Sequence, residues 1–145
     1  MRDVKNTRAQ ITLKITNDKK PDIKNFITLN VENVKSKTKA RPSKSSVART
    51  DIYTELTVAI EEYPADNLSI RKVGTITKQI EAALVDDANK IIEIAQKSNG
   101  DIFGIGRTLH AYHPSYWNNV NWAKEYGNSQ IVPHMKVNIR TRGIY

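Results

Sequence analysis

The stretch Asp101-Ile-Phe-Gly-Ile-Gly-Arg-Thr-Leu-His-Ala-Tyr-His-Pro-Ser-Tyr-Trp117 separates two regions of different hydrophobic period, and its reading decides the fold. Upstream, Val73, Ile76, Ile80, Leu84, Ala88, Ile91 and Ala95 recur at three- and four-residue steps, the signature of one face of a long helix. Ser69 is a suitable N-cap, and Asn99-Gly100 a suitable stop, with the glycine expected in the left-handed position. Asp101 is then placed to cap a second helix running to Pro114, and a short aromatic helical segment follows from Ser115 to about Trp122. The quoted run is therefore read as helical.

Outside this block the chain reads in twos. Ile11, Leu13 and Ile15 alternate with polar residues, and the turn-forming cluster Asn17 to Asp22 breaks the pattern. Ile27, Leu29 and Val31 resume it, and Lys35, Lys37 and Lys39 continue it as a row of charges on one face of a strand leaving the core. Ala40 to Arg49, with one proline and three serines, is read as a mobile loop. Ile52, Thr54, Leu56, Val58 and Ile60 mark a third strand, and Met135, Val137 and Ile139 a fourth. The helices are thus a long insertion between strands of one sheet. The expected fold is α+β, an antiparallel or mixed sheet of about four strands with the long helix and the shorter motif helix on one face. Residues 1–145 are read as a single domain. Its core joins Ile11, Leu13, Ile27, Leu29, Leu56, Val58 and Ile139 to Ile76, Ile80, Leu84 and Ile91.

Charge is distributed more unevenly than the net +8 suggests. Residues 1–50 hold 13 Lys+Arg against 4 Asp+Glu, whereas residues 51–145 hold 10 against 11. A basic half beside a neutral one suits an acidic partner, although a lysine-edged sheet also arises simply as protection against aggregation. The chain has no cysteine, which removes disulfides, thiolate metal sites and cysteine nucleophiles. No apolar run approaches the roughly 18 residues that span a bilayer, and the N-terminus lacks the apolar core of a signal peptide. The chain as given reads as soluble, and as either cytoplasmic or a piece of a longer exported protein.

Enzymatic readings find little support. Gly104-Ile-Gly106 follows a helix rather than a strand, Leu109 stands where a third glycine belongs, and no Gly-Lys-Ser/Thr is present, so a nucleotide cradle is rejected. The two glycines are read instead as places where helices approach closely. His110 and His113 share a helix face, with His134 a distant third, but no cysteine, His-Glu-x-x-His or suitably spaced carboxylate completes a metal site. No nucleophile meets a base, and no cofactor motif is present. Nucleic-acid binding through the basic half is the competing class, weakened because the aromatics concentrate in residues 103–126, away from the lysines.

The run Asp101 to His110, with Tyr112, Pro114, Trp117 and Trp122, and the ending Met135-Lys-Val-Asn-Ile-Arg-Thr-Arg-Gly143, resembles the C-terminal domain of the Ger(x)C family, the C subunits of bacterial spore germinant receptors. Ile105 stands where that family has a second aromatic, and His113 where a tyrosine precedes the proline. The resemblance implies a non-catalytic subunit domain, without cofactors, acting in nutrient-triggered germination. It implies a lipoprotein at the outer face of the spore inner membrane, working with membrane-embedded A and B subunits. This chain, without the lipid-bearing cysteine, would be its C-terminal domain. Lys35, Lys37, Lys39, Arg107 and Trp117 are the expected interaction surface, the basic residues being available to anionic lipid headgroups. Tyr112, Tyr116, Trp117 and Trp122 are expected to pin the helices to the sheet.

Overall fold

The computed structural model describes residues 2–14, 26–43, 48–62 and 70–140. The expected N-cap Ser69, the turn at Asn17–Asp22, residues 44–47 of the expected loop and the chain end from Thr141 lie outside them. Strands β1 (Arg2–Lys14), β2 (Phe26–Arg41) and β3 (Arg49–Glu62) precede the helices α1 (Ile70–Lys97), α2 (Ile105–Tyr112), α3 (Pro114–Asn118) and α4 (Trp122–Glu125). A 3-10 turn (Tyr126–Asn128) then leads into β4 (Gln130–Arg140). The strands form one sheet in the order β1-β2-β3-β4, with α+β architecture as the residue periods predict.

β1 and β2 pair antiparallel, Leu13 opposite Ile27 and Ile11 opposite Leu29, so the apolar residues of both strands fall on one face. The register shifts between Lys5 and Ala9, where β1 carries extra residues against β2. β4 runs parallel to β3. His134 meets Asp51 and Asn138 meets Glu55, both with an offset of 83 residues, and a constant offset rather than a constant sum is the mark of parallel strands. The helical insertion is thus the crossover a parallel connection requires, and the sheet is mixed.

The chain divides into two compact units. The first comprises Met1–Ser36, Thr54–Asp86 and Met135–Tyr145. Here the expected core forms: Leu13, Ile27, Leu29, Leu56 and Val58 meet Ile76 and Ile80, with Ile11, Leu84 and Ile139 partly buried around them. Burying a side chain such as Ile27 or Ile80 completely stabilises the fold by about 1.5–3 kcal/mol. Glu81 Oε1 accepts the Val137 amide (3.0 Å), and Asn138 donates to Glu55 (2.7 Å).

The second unit comprises Lys37–Tyr53 and Asp87–His134. Ala40, Ile52, Ile92, Ile105, Leu109, Tyr126 and Ile131 form its core. Ile92, 5% exposed, takes the place expected for Ile91, which is 52% exposed. Two adjacent isoleucines suit either phase of a three-and-four pattern, and the steps from Ile76 through Ile80 to Ile92 favour four. The expected loop is also shorter than its composition suggests: β2 continues to Arg41, and both Ala40 and Ala48 are buried. α1 ends in a Schellman turn, Gly100 N–H donating to Ala95 O (2.9 Å) and Asn99 N–H to Gln96 O (3.2 Å). It is Asn99 (φ 55°), not Gly100, that takes the left-handed conformation.

Candidate functional site

The 101–117 stretch begins with a carboxylate that closes a helix start. Asp101 Oδ1 accepts the Ile105 amide (2.9 Å), and Oδ2 accepts the Gly106 amide (2.7 Å) and the Trp122 indole N–H (3.3 Å). Two of the amides that α2 leaves unsatisfied are thereby paired, and α4 is tied to the same anion. The two glycines serve different ends. A methyl group placed on Gly104 (φ 66°) would meet nothing within 4 Å, so its need is conformational and not, as expected, close packing. Gly106 is the close approach, since a Cβ there would meet Trp122 Nε1 at 2.7 Å and Asp101 Oδ2 at 3.0 Å.

Tyr116, Trp117 and Trp122 pack against the second unit's core as expected, but Tyr112 is 77% exposed and pins nothing. Trp122 lies between Trp117 and Tyr126, with ring centroids 6.4 and 5.7 Å away. Tyr126 donates its hydroxyl to Gly100 O (2.9 Å), and Gln96 Nε2 donates to Tyr126 O and Ser129 O (3.1 and 2.7 Å). Burial, and secondarily the Asp101 charge, push the Tyr126 phenol up. An open cleft of about 640 Å³ runs along Trp117, Trp122, Tyr126 and Asp101. Arg107 is exposed on α2. His110 rests against Trp117 (5.4 Å), and among the described residues no three metal-ligating side chains converge.

The lysine row behaves differently from a simple continuation of the buried face. In β2 the buried residues are Ile27, Leu29 and Val31, then Ala40, so the buried face changes from odd to even positions. Lys37 and Lys39 are consequently exposed in the second unit, together with Arg41, whereas Lys35 is half-buried in the first. Lys39 Nζ stands 5.6 Å from the Tyr53 ring centre, and Tyr53 stacks on His134 at 4.6 Å with 11° between planes. Beneath them lies Asp51, its side chain only 6% exposed. Arg49 donates to it through Nε and Nη2 (3.3 and 3.1 Å), and His134 Nε2, carrying the hydrogen, donates to Oδ1 (2.9 Å). The Arg49 hydrogen bond, then that of His134, hold the Asp51 carboxyl down at about 2. Its charge is committed, which leaves Lys37, Lys39 and Arg41 as the outward character of this face.

Sequence reasoning singles out Lys37 and Lys39 but misses Arg41, Arg49, Asp51, Tyr53 and the partner of His134. The spacing Arg49-x-Asp51-x-Tyr53 is the available signal, because on a strand these share the face opposite Ile52. Among the described residues no helix is long and apolar enough to cross a membrane.

No curated protein matches the chain. The crystal structure of the GerBC protein is similar to it, with a TM-score of 0.74 at 18% identity over 92% of this chain. That likeness extends to 40% of the GerBC chain, so this chain spans well under half its length. The family model described as "Spore germination B3/ GerAC like, C-terminal" matches residues 1–143, and the chain belongs to that family.

Proposed function

We propose that residues 1–145 serve as a single non-catalytic interaction domain of a germinant receptor C subunit in nutrient-triggered spore germination. The whole protein would be lipid-anchored at the outer face of the spore inner membrane and would contact the membrane-embedded A and B subunits. The observation that carries the contact is apolar surface left open on the second unit. Ile91 and Ile94, one helical turn apart on α1, are 52% and 68% exposed, and Ile102 and Tyr112 are 64% and 77% exposed. Neighbouring exposed apolar side chains such as Ile91 and Ile94 suit a protein contact. Family membership supplies the kind of partner. Exposed positions tolerate polar side chains, so Ile91→Gln with Ile94→Gln should leave the melting temperature unchanged and abolish co-purification with A and B subunits. Undiminished co-purification by the folded variant would refute the assignment.

A second reading is favoured by the basic face. Lys37, Lys39 and Arg41 are exposed, with Lys39 over the exposed Tyr53 ring, and each basic residue near an anionic surface contributes roughly 1 kcal/mol. Vesicles containing anionic lipid should retain the parent domain at low salt and release the triple glutamate variant. Equal retention by neutral and anionic vesicles removes this role. Nucleic acid remains the competing partner for the same charges, and absence of any duplex or single-strand binding at low salt eliminates it.

A further inference from the structure

The cleft beside the motif has a chemistry of its own, independent of the subunit-contact reading. Both tryptophans of the chain line it, Trp117 and Trp122, with their ring centroids 6.4 Å apart and their planes tilted by 43°. Tyr126 and Asp101 line it as well, the Asp101 carboxylate accepting the Trp122 indole N–H, and Asn99 and Asn121 add polar residues to the lining. No lysine, arginine or histidine lines the cleft among the described residues. Every group that touches Asp101 in the described structure is a neutral N–H donor: two backbone amides and an indole. These donors hold the carboxylate in place but carry no formal charge to set against it.

The surroundings favour the same sign. Asn99 and Asp101 directly follow the end of α1, a 28-residue helix whose C-terminus carries the negative end of its dipole. Two of its last carbonyls are taken up by the Schellman turn, but the dipole itself remains. Indole faces attract cations through their quadrupoles, more strongly than any other side-chain ring. Two indoles, a phenol, a carboxylate and the end of α1 therefore line one open cleft. The N–H groups already bonded to Asp101 are the carboxylate's counterpart, and the described lining holds no cationic side chain. An anion would meet the carboxylate and the helix end unfavourably. A neutral apolar group would gain nothing from the carboxylate or from the ring quadrupoles.

We propose that this cleft binds a compact organic cation, an ammonium group carried on a small alkyl frame. The same chemistry is offered by a free amine and by the lysine side chain of a peptide, and the test separates them.

Because the chain has no other tryptophan, intrinsic fluorescence reports occupancy directly. Purified protein would be titrated with tetramethylammonium chloride, n-butylammonium chloride and a doubly capped lysine, at ionic strength held constant with sodium chloride. tert-Butanol and sodium acetate serve as neutral and anionic controls. Saturable fluorescence change with at least one ammonium probe, and none with the controls, is the expected result. Stronger response to the small amines points to a free ligand, and stronger response to capped lysine to a peptide side chain; either supports the site. Asn121 is exposed and makes no side-chain cap to α4, so its charge can be changed without touching the Asp101 network. Asn121→Asp should tighten binding roughly fivefold and Asn121→Lys weaken it by a similar factor, as expected for one unit charge in a wet cleft. Ile91→Gln with Ile94→Gln, which adds no charge near the end of α1, should leave the titration unchanged, so this site and the subunit contact fail separately. A response to tert-butanol equal to that of tetramethylammonium, or affinities indifferent to the charge at position 121, would overturn the proposal.

Discussion

Replacing Gly106 by alanine isolates the close approach that the motif is built around. The new methyl carbon would lie 2.7 Å from Trp122 Nε1, 2.8 Å from its Cδ1 and 3.0 Å from Asp101 Oδ2. The two contacts with the indole are closer than a Cβ comes to a neighbour and the third is tight, and Trp122 cannot swing freely because it packs between Trp117 and Tyr126. Overpacking of this kind costs about 1–3 kcal/mol. Moving the indole also gives up its 3.3 Å bond to Asp101, worth about 1 kcal/mol or somewhat more because the acceptor is charged. Against this, alanine is the better helix former by up to about 1 kcal/mol, less in a first turn. The net is a destabilisation of about 1–3 kcal/mol, read by urea unfolding followed by circular dichroism. For a domain of this size that lowers the melting temperature by about 2–4 °C per kcal/mol. Gly74→Ala is the control. It sits in the interior of α1 with nothing within 4 Å, so it should stabilise by about 0.5–1 kcal/mol. In a Trp122→Leu background the cost of Gly106→Ala should largely vanish, since the two closest atoms are gone and only the tight Asp101 contact remains. If Gly106→Ala is as stable as the parent, or costs the same with and without the indole, the close-approach account is wrong.

Asp51 links stability to acid. Its folded pKa, about 2, lies below the ordinary 3.8, so its contribution is complete above pH 3.8 and is lost as pH falls toward 2. Unfolding free energies should therefore drop more steeply across that window in the parent than in Asp51→Asn, and identical slopes would remove Asp51 from the acid response. Tyr126→Phe, which loses the bond to Gly100 O, should cost about 1 kcal/mol. Tyr116→Phe should be neutral or slightly stabilising, because that buried hydroxyl has no partner and burial already pushes its pKa up. Gln96→Leu takes the Gln96 donor from the Ser129 carbonyl, while the Tyr126 carbonyl keeps the Ser129 hydroxyl and amide, and should cost about 1–2 kcal/mol by denaturant titration.

The strand periods and the long helix are legible because burial imposes them residue by residue: Leu13, Ile27, Leu29, Val58 and Ile80 are buried where alternation and the helical step place them. What escapes depends on geometry that spacing does not encode. The choice between Ile91 and Ile92 turns on a single helical phase, and either residue is apolar. The switch of the buried face in β2 between Val31 and Ala40 is a local irregularity with no composition cue, yet it decides that Lys37 and Lys39 face solvent. Gly104 and Gly106 look alike in sequence, and only φ and the nearness of Trp122 tell them apart. Asp51 and His134 are 83 residues apart, so their bond becomes visible only once β4 is seen to lie parallel to β3. The two tryptophans, expected as pins, also wall a cleft, which their spacing in the chain does not disclose.

That parallel pairing sets the order in which a ribosome can deliver a finished sheet. β1 to β3 leave the tunnel first, and the flank of β3 that β4 will occupy has no partner until Gln130–Arg140 is synthesised. For the time needed to translate the whole helical crossover, an apolar strand with free amides and carbonyls is open to any neighbouring chain. Chains stalled or truncated before Gln130 should accumulate as aggregates or as chaperone-bound species rather than as a smaller folded form, and recovery of a monomeric, cooperatively melting truncation would show otherwise.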